Sequence, residues 1–261
     1  MNVIIVSVVS VTAIGIICSA ILSVFSRLMY VKIDERISML TEIMPGANCG
    51  ACGYPGCSGY AAALVTDNAK TNLCTPGGSE VLAKISSILG VEAGSMEKKT
   101  AVVKCLGDCA AQKKKMDYKG IQSCTAAKQL YGGEGACAFG CLGYGDCQKV
   151  CPSGAICTED GLARVIAGLC TGCGLCVKTC PNNLIAVESA APVFVLCNNI
   201  EKGAVKRKKC AKGCIACGKC ARECSAQAIT MADNLAVIDY EKCTGCGHCV
   251  QVCVSKCIRP A

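Results

Sequence analysis

Cysteine is the feature that most constrains what this chain can fold into. The 261 residues include 28 cysteines, against one histidine, no tryptophan and three phenylalanines. A cysteine content this high indicates either a disulfide scaffold or a metal protein. Because aromatic side chains are so few, we expect something other than side-chain burial to help hold the chain together. The lone histidine, His248, excludes most zinc hydrolases, Cys–His dyads and Ser–His–Asp triads.

The amino-terminal segment decides between disulfides and metal centres. No charged side chain precedes Arg27, and residues 3–25 are mostly Val, Ile, Ala, Leu and Ser. A run of about 20 apolar residues spans a bilayer as a helix, whereas a signal peptide needs a basic start and a shorter apolar run. Basic side chains follow at Arg27, Lys32 and Arg36, which predicts the body on the cytoplasmic side. Cytoplasmic thiols stay reduced, so the cysteines are predicted to be metal ligands.

Composition along the chain divides it into four predicted regions. These are a transmembrane anchor over 1–30, a four-cysteine domain over 31–90, and two cysteine-rich modules over 101–191 and 192–261. Helices are expected over 31–44, 59–69 and 80–89. The two modules resemble each other, because Val102–Cys105 is echoed by Phe194–Cys197. This echo indicates an internal duplication with a boundary near Pro192.

The strongest motif is a contiguous run in the first module, Cys170-x2-Cys173-x2-Cys176-x3-Cys180-Pro181. This is the ferredoxin spacing, in which three close cysteines hold one [4Fe-4S] cluster and the fourth reaches a neighbouring cluster. Zinc ribbons usually use two separated Cys-x2-Cys pairs instead. The run therefore favours iron–sulfur clusters over zinc.

Three other runs repeat this spacing with departures. The upstream run keeps a Cys-Pro ending but is interpreted as carrying an insertion before its third cysteine, and the two runs of the second module lack the proline. The runs are Cys137-x3-Cys141-x5-Cys147-x3-Cys151-Pro152, Cys214-x2-Cys217-x2-Cys220-x3-Cys224 and Cys243-x2-Cys246-x2-Cys249-x3-Cys253. Cross-ligation between paired runs then predicts four ligand sets. The sets are Cys137, Cys141, Cys147 with Cys180; Cys151 with Cys170, Cys173, Cys176; Cys214, Cys217, Cys220 with Cys253; and Cys224 with Cys243, Cys246, Cys249. Within the last run, His248 is expected to be a solvent-facing loop residue.

The four-cysteine domain carries a different pattern, Cys49-x2-Cys52-x4-Cys57-x16-Cys74. Glycines between the first three cysteines allow the backbone to approach a large inorganic core, and the fourth ligand returns from beyond a helix. On spacing alone, this set is open to zinc as well as to an iron–sulfur cluster.

Seven cysteines of the body remain outside these five sets. They are Cys105, Cys109, Cys124, Cys157, Cys197, Cys210 and Cys257. They are numerous enough for a sixth cluster, for which Cys105, Cys109 and Cys124 plus one other are the candidate ligands. The alternative is that they are buried thiols near the other clusters.

A membrane anchor, the Cys49–Cys74 domain and ferredoxin-type runs in this order resemble the B subunit of the Rnf electron-transport complex. The resemblance covers essentially the whole chain, with residues from about 193 onward similar to a longer form found in anaerobic bacteria. It implies an α+β fold, in which each ferredoxin-like module is a pseudo-twofold unit around two [4Fe-4S] clusters. It also implies that Cys49, Cys52, Cys57 and Cys74 hold a cluster, and that the cysteines of the 137–151 and 170–180 runs are ligands.

The resemblance further implies a role. Such a complex passes electrons from reduced ferredoxin to NAD through iron–sulfur and flavin subunits, and couples this to Na⁺ or H⁺ transport. The B subunit would take electrons from soluble ferredoxin at the cytoplasmic side of the membrane. The alternatives are an electron wire of another membrane oxidoreductase, a complex that reduces a redox-sensing regulator, or a zinc-binding structural protein.

No motif predicts substrate chemistry by the polypeptide itself, since the chain has neither a dinucleotide-binding nor a phosphate-binding glycine loop. The hard chemistry is expected to reside in the cofactors. The net charge of +8 suggests an acidic partner, for which Lys113–Lys115 and Lys206–Lys209 are candidate docking patches. Each run is equally well explained as a solvated surface. Nucleic-acid binding is disfavoured because aromatic side chains for base stacking are lacking nearby.

Overall fold

A long helix, α1 (Asn2–Leu28), is the first element of the chain. The computed structural model describes residues 2–28, 34–94, 99–189 and 191–260. Residues Ile5–Arg27 have a mean hydropathy of 2.5, and none of this window is buried against the rest of the protein. By length and composition, α1 can cross a bilayer. Lys32 lies outside the described residues.

A small helical domain follows. Its elements are α2 (Glu35–Ile43), α3 (Cys57–Thr66), a short 3-10 turn (Thr71–Leu73) and α4 (Gly78–Leu89). The start of the helix expected over 31–44 lies outside the described residues, and α2 begins at Glu35 after an Asp34 cap. Leu40, Tyr60 and Ile85 are fully buried and form the centre of its core. This domain therefore has a conventional apolar core of its own.

The first module contains two antiparallel strand pairs, one of which joins its first and last strands. Strand β1 (Lys99–Val103) pairs antiparallel with β4 (Ile185–Ser189), and β2 (Ile156–Glu159) pairs with β3 (Leu162–Val165). Three short helices lie between the strands. They are α5 (Cys124–Gln129), α6 (Asp146–Lys149) and α7 (Leu175–Thr179).

The second module repeats this arrangement. Strand β5 (Val193–Val195) pairs antiparallel with β8 (Ile258–Pro260), and β6 (Ile229–Ala232) pairs with β7 (Leu235–Ile238). Its helices are α8 (Gly203–Lys209), α9 (Lys219–Arg222) and α10 (His248–Val252). The predicted α+β class is thus confirmed. Helices of four or five residues are not stable alone, and cysteines contribute much of both module cores.

The two modules meet through the loop that follows β1 in the first module and the segment that follows α8 in the second. We call this contact the seam, formed by residues 108–113 and 209–212. Lys113 N donates to Lys209 O at 3.0 Å and Ala211 N donates to Ala111 O at 2.9 Å, on either side of a bridge between Gln112 and Cys210. An ion pair between Asp108 and Lys212 closes its edge. The seam holds one module against the other.

Candidate iron–sulfur sites

A single local design occurs four times in the two modules. A glycine with left-handed backbone precedes each of α6, α7, α9 and α10, and the next residue but one is a cysteine in the first helical turn. The glycines are Gly145, Gly174, Gly218 and Gly247, with φ of 72°, 73°, 68° and 72°. Glycine adopts this conformation without the steric cost that other residues incur. The design therefore identifies Cys147, Cys176, Cys220 and Cys249 as equivalent residues.

This equivalence corrects the sequence interpretation of the 137–151 run. Cys147 matches Cys220, so Cys141 matches Cys214, at the same separation of six positions. The run has no insertion before Cys147. Instead, Tyr144 stands where the second module has Cys217. Cys137 is not the first cysteine of the run.

The structure brings Cys151 to the thiols of Cys170, Cys173 and Cys176. Burial, followed by the neighbouring thiols of Cys173 and Cys170, raises the pKa of Cys176 to about 11. The backbone N–H of Ala101 donates to Cys170 Sγ at 3.4 Å. The arrangement is the one that cross-ligation predicts.

The structure also brings together the two predicted sets of the second module. Cys214, Cys217 and Cys253 surround Cys220, and burial with these neighbours raises the pKa of Cys220 to about 11. The second set lines one cavity beside β5. Its members are Cys224, Cys243, Cys246 and Cys249. His248 lies at the rim, about half exposed, with its Nε2 3.7 Å from Glu223 Oε2.

The four-cysteine domain gathers its four thiols at the start of α3. Asn48 Oδ1 accepts a hydrogen bond from Cys57 N at 2.9 Å, which closes the loop that carries the first three cysteines. Tyr60 OH donates to Lys70 O at 2.6 Å and fixes the segment that returns to Cys74. Burial, and then the thiols of Cys57, Cys49 and Cys52, raise the pKa of Cys74.

The structure does not bring Cys137 to the set predicted for it. The cavity that holds Cys141, Cys147 and Cys180 is completed by Cys124, from the start of α5. Burial and the thiols of Cys141, Cys124 and Cys180 raise the pKa of Cys147 to about 12. The structure therefore places Cys124, and not the predicted Cys137, beside Cys141, Cys147 and Cys180.

Helix α5 is held in place by the helix that carries Cys147. Asp146 Oδ2 accepts hydrogen bonds from Ser123 Oγ at 2.8 Å and from Thr125 N at 3.1 Å. These contacts tie α5 to the start of α6. Cys124 thereby supplies the thiol that position 144 lacks. It comes from the start of α5, outside the cysteine run, so the spacing of the run does not predict it.

Cys137 instead lines a cavity beside the seam together with three cysteines that the spacing left unassigned. They are Cys105, Cys197 and Cys210. The structure does not bring the predicted ligands Cys105, Cys109 and Cys124 together. Cys109 is exposed, Cys124 is in the α5 cavity, and Cys105 is beside the seam. The signal that could have found this group is Cys210-x3-Cys214, which repeats Cys137-x3-Cys141.

The two lysine-rich runs lie side by side across the seam, where Lys113 N bonds Lys209 O. Lys206 is 1 % exposed, so it cannot belong to a docking patch. Lys209 pairs with Glu201. Lys113, Arg207 and Lys208 remain exposed and form a basic face beside the Cys137 cavity.

Each thiol set offers the four cysteine ligands that a [4Fe-4S] cluster takes. Backbone N–H groups point at several sulfurs, as from Leu184 to Cys180 Sγ at 3.4 Å. Such donors tune the potential of a cluster.

Comparison with known protein families supports this assignment. Four family models match: an Fe-S cluster domain at residues 44–76, an LdpA Fe-S cluster-binding domain at 137–191, and 4Fe-4S dicluster domains at 169–229 and 213–257. Together they match residues 44–76 and 137–257.

Relatives are also similar to the chain over nearly its whole length. The B subunit of the Na⁺-translocating ferredoxin:NAD⁺ oxidoreductase complex of Acetobacterium woodii is 41 % identical over 94 % of this chain and 74 % of its own length. The B subunit of the ion-translocating oxidoreductase complex of Methanosarcina acetivorans is 38 % identical over 99 % and 98 %. The B subunit of the proton-translocating ferredoxin:NAD⁺ oxidoreductase complex of Clostridium ljungdahlii is 39 % identical over 98 % and 91 %.

Proposed function

The chain belongs to the family of B subunits of Rnf-type ion-translocating oxidoreductase complexes, and from this premise we propose that it is the iron–sulfur electron-transfer subunit of such a complex. The complex oxidises ferredoxin, reduces NAD and couples the reaction to Na⁺ or H⁺ translocation. This subunit takes electrons from soluble ferredoxin and relays them towards the flavin and iron–sulfur subunits. The enzyme activity belongs to the complex, and the chain supplies ligands rather than catalytic side chains.

Five sets of thiols are proposed as [4Fe-4S] ligands. The sets are Cys49, Cys52, Cys57, Cys74; Cys124, Cys141, Cys147, Cys180; Cys151, Cys170, Cys173, Cys176; Cys214, Cys217, Cys220, Cys253; and Cys224, Cys243, Cys246, Cys249. When bound, the clusters supply one-electron redox chemistry, and ligation by cysteine alone suits low potentials. The chain holds the thiolates, buries them and directs backbone N–H groups at their sulfurs.

Contacts between the domains support a continuous path. Lys178, two residues after Cys176, donates from Nζ to Cys49 O at 3.4 Å. The four-cysteine domain therefore adjoins the Cys176 end of the first module. The seam joins the opposite part of that module to the second one. We propose that electrons enter at the modules and leave through the four-cysteine domain.

The anchor and the basic face support a location at the membrane. Helix α1 would hold the subunit in the inner membrane of a prokaryote, with the cysteine-rich body on the cytoplasmic side, where ferredoxin is found. The exposed Lys113, Arg207 and Lys208 would steer an acidic ferredoxin towards the seam.

The repeated gathering of four thiols in both modules is the observation that carries the proposal. The full chain, purified in detergent without oxygen, is analysed for iron, acid-labile sulfide and zinc. We expect at least about 20 irons per chain, from five sets of four, with equal sulfide. Zinc without sulfide would end the electron-transfer proposal and leave a structural metal protein.

A further inference from the structure

We propose that the two modules hold a sixth [4Fe-4S] cluster between them, ligated by Cys105, Cys137, Cys197 and Cys210. The four cysteines line one cavity beside the seam. Cys137 is buried and the other three are partly buried. The inference rests on the proposed electron-transfer function, and deepens it by assigning a cofactor site that neither module contains alone.

Each module contributes an equivalent pair of thiols. Cys105 and Cys197 follow the opening strands β1 and β5 directly. The residues before them make the same bond, from Lys104 N to Leu184 O at 2.7 Å and from Leu196 N to Cys257 O at 2.8 Å. Cys137 and Cys210 each precede the first cysteine of a run by four positions. The duplication therefore produces one four-thiol site across the seam, with two ligands from each side.

Equivalent hydrogen-bond donors from the two modules face the sulfurs of Cys105 and Cys197. Cys105 Sγ accepts from Gly107 N at 3.3 Å and from Cys141 N at 3.4 Å. The equivalent amides, of Asn199 and Cys214, face the Cys197 sulfur and oppose the rise in its pKa that burial causes. Paired amide donors to a sulfur are what a bound thiolate requires and what a neutral thiol uses poorly.

The other pair of sulfurs is similarly supplied. Asn199, itself buried, donates from Nδ2 to Cys137 Sγ at 3.3 Å. Burial raises the pKa of Cys210. The backbone amides of Lys212 and Gly213 face its sulfur and oppose that rise. Each of the four sulfurs thus has at least one donor directed at it.

A buried lysine supplies compensating charge. Lys206 is 1 % exposed and lines the same cavity. The nearby Glu201 carboxylate pairs with Lys209 instead. A buried cation is costly unless negative charge lies close to it. Lys206 Nζ donates to Asn234 O at 2.6 Å, and a cluster held by four thiolates would add negative charge beside it.

The site lies between two of the proposed thiol sets, one in each module, which we call the inner sets. They are the set that contains Cys141 and the set that contains Cys214. Cys105 is bonded by the amide of Cys141, which belongs to the inner set of the first module. The amide of Cys214, which belongs to the inner set of the second, faces Cys197 and opposes the rise in its pKa. Cys105 and Cys137 on one side and Cys197 and Cys210 on the other would hold the sixth cluster between the two inner sets, where it would pass electrons from one to the other. One electron moves at each step, with reduced ferredoxin as its source and no bond made or broken.

The test uses the full chain, purified in detergent without oxygen. We expect about 24 irons per chain, from six sets of four. The double variant Cys105→Ser/Cys197→Ser should lose about four irons and the matching sulfide. The matched double variant Cys109→Ser/Cys157→Ser should keep all of them, because neither thiol lies in a set. Native mass spectrometry of the unsubstituted chain counts the clusters directly, and needs no variant to fold.

The outcomes separate this inference from the proposed function. About 20 irons in the parent chain, or no loss in the Cys105→Ser/Cys197→Ser variant, overturns the sixth cluster and leaves the five-cluster relay standing. One zinc per chain that disappears with this variant also overturns it. A parent chain without acid-labile sulfide overturns the proposed function itself.

Discussion

Tyr144 is the residue that gives the first module its unusual ligand pattern. It stands where the equivalent run has Cys217, and its ring packs 5.5 Å from that of Tyr118. Cys124 supplies a thiol to the same cavity from a different loop. The ligand has thus moved from the local run to a long-range position, while the cavity has kept four sulfurs.

This exchange predicts a rescue. Cys124→Ser should remove about four irons per chain, because one set loses a ligand. Adding Tyr144→Cys should restore them, since it returns a thiol to the position that Cys217 has in the second module. Iron and sulfide analysis checks both steps. Adding Tyr131→Cys instead places a thiol on an exposed residue and should restore nothing; an equal gain there would contradict the assignment.

Cys257 is a second residue of interest, because its thiol affects the neighbouring cysteines. Its sulfur lies 3.6 Å from that of Cys253. The neighbouring Cys257 thiol lowers the pKa of Cys214 and of Cys253, because a hydrogen bond to a sulfur favours its thiolate form. Its counterpart in the first module is Leu184, since both carbonyls accept the equivalent strand bond.

Replacing this thiol should change a redox potential without removing a cluster. A donor to the ligand sulfurs stabilises the more negative, reduced cluster. Cys257→Leu should therefore lower the potential of the Cys214 cluster and leave the iron content unchanged. A redox titration followed by electron paramagnetic resonance measures this shift. Cys157→Leu, at a thiol directed to Arg164 O, should leave all potentials unchanged; no difference between the two variants would contradict the role of Cys257.

At the scale of elements, α8 combines a buried lysine with an exposed basic surface. Lys206 points inward and donates to Asn234 O at 2.6 Å, while Arg207 and Lys208 are exposed. The next residue, Lys209, is engaged by Glu201. Of the four basic residues in this run, only the middle two are thus suited to steer a partner.

Charge reversal on α8 should slow electron uptake from ferredoxin. Arg207→Glu/Lys208→Glu replaces attraction of an acidic partner with repulsion. We expect a fall of about tenfold or more in the bimolecular rate at low salt, and a flatter dependence on ionic strength. Stopped-flow oxidation of reduced ferredoxin measures the rate. Lys70→Glu/Lys84→Glu makes the same change in net charge on the helical domain. An equal loss of rate in that variant would contradict docking of ferredoxin at α8.

The helical domain and the two modules are stabilised in different ways. The helical domain buries Leu40, Tyr60 and Ile85 against one another. The modules consist of two-stranded sheets and helices of a few residues, which are marginal without further support. We expect cluster binding to supply much of the folding free energy of the modules.

Removal of iron should therefore affect the regions unequally. After oxidation and chelation, residues 99–189 and 191–260 should lose amide protection, while 34–94 keep more of theirs. Hydrogen exchange with mass spectrometry on the full chain, with and without iron, makes the comparison. Uniform loss of protection in all three regions would contradict a separate apolar core in the helical domain.

Local spacing was enough to predict much of this protein. The contiguous run from Cys170 to Cys180 is short, so its backbone alone brings three thiols to one centre. The family and the α+β class followed from the order of such runs and the apolar segment before them. These features depend on neighbours in the chain, and a sequence displays them directly.

The partners of Cys124 and Cys137 could be decided only by the tertiary structure. Cys124 reaches its set because Asp146 binds the start of α5. Cys137 lines a cavity with Cys197 and Cys210, 60 or more positions along the chain, because the seam brings the two modules together. Which thiols meet over such separations depends on how loops and modules pack. Spacing carries no information about that packing, whereas the folded chain does.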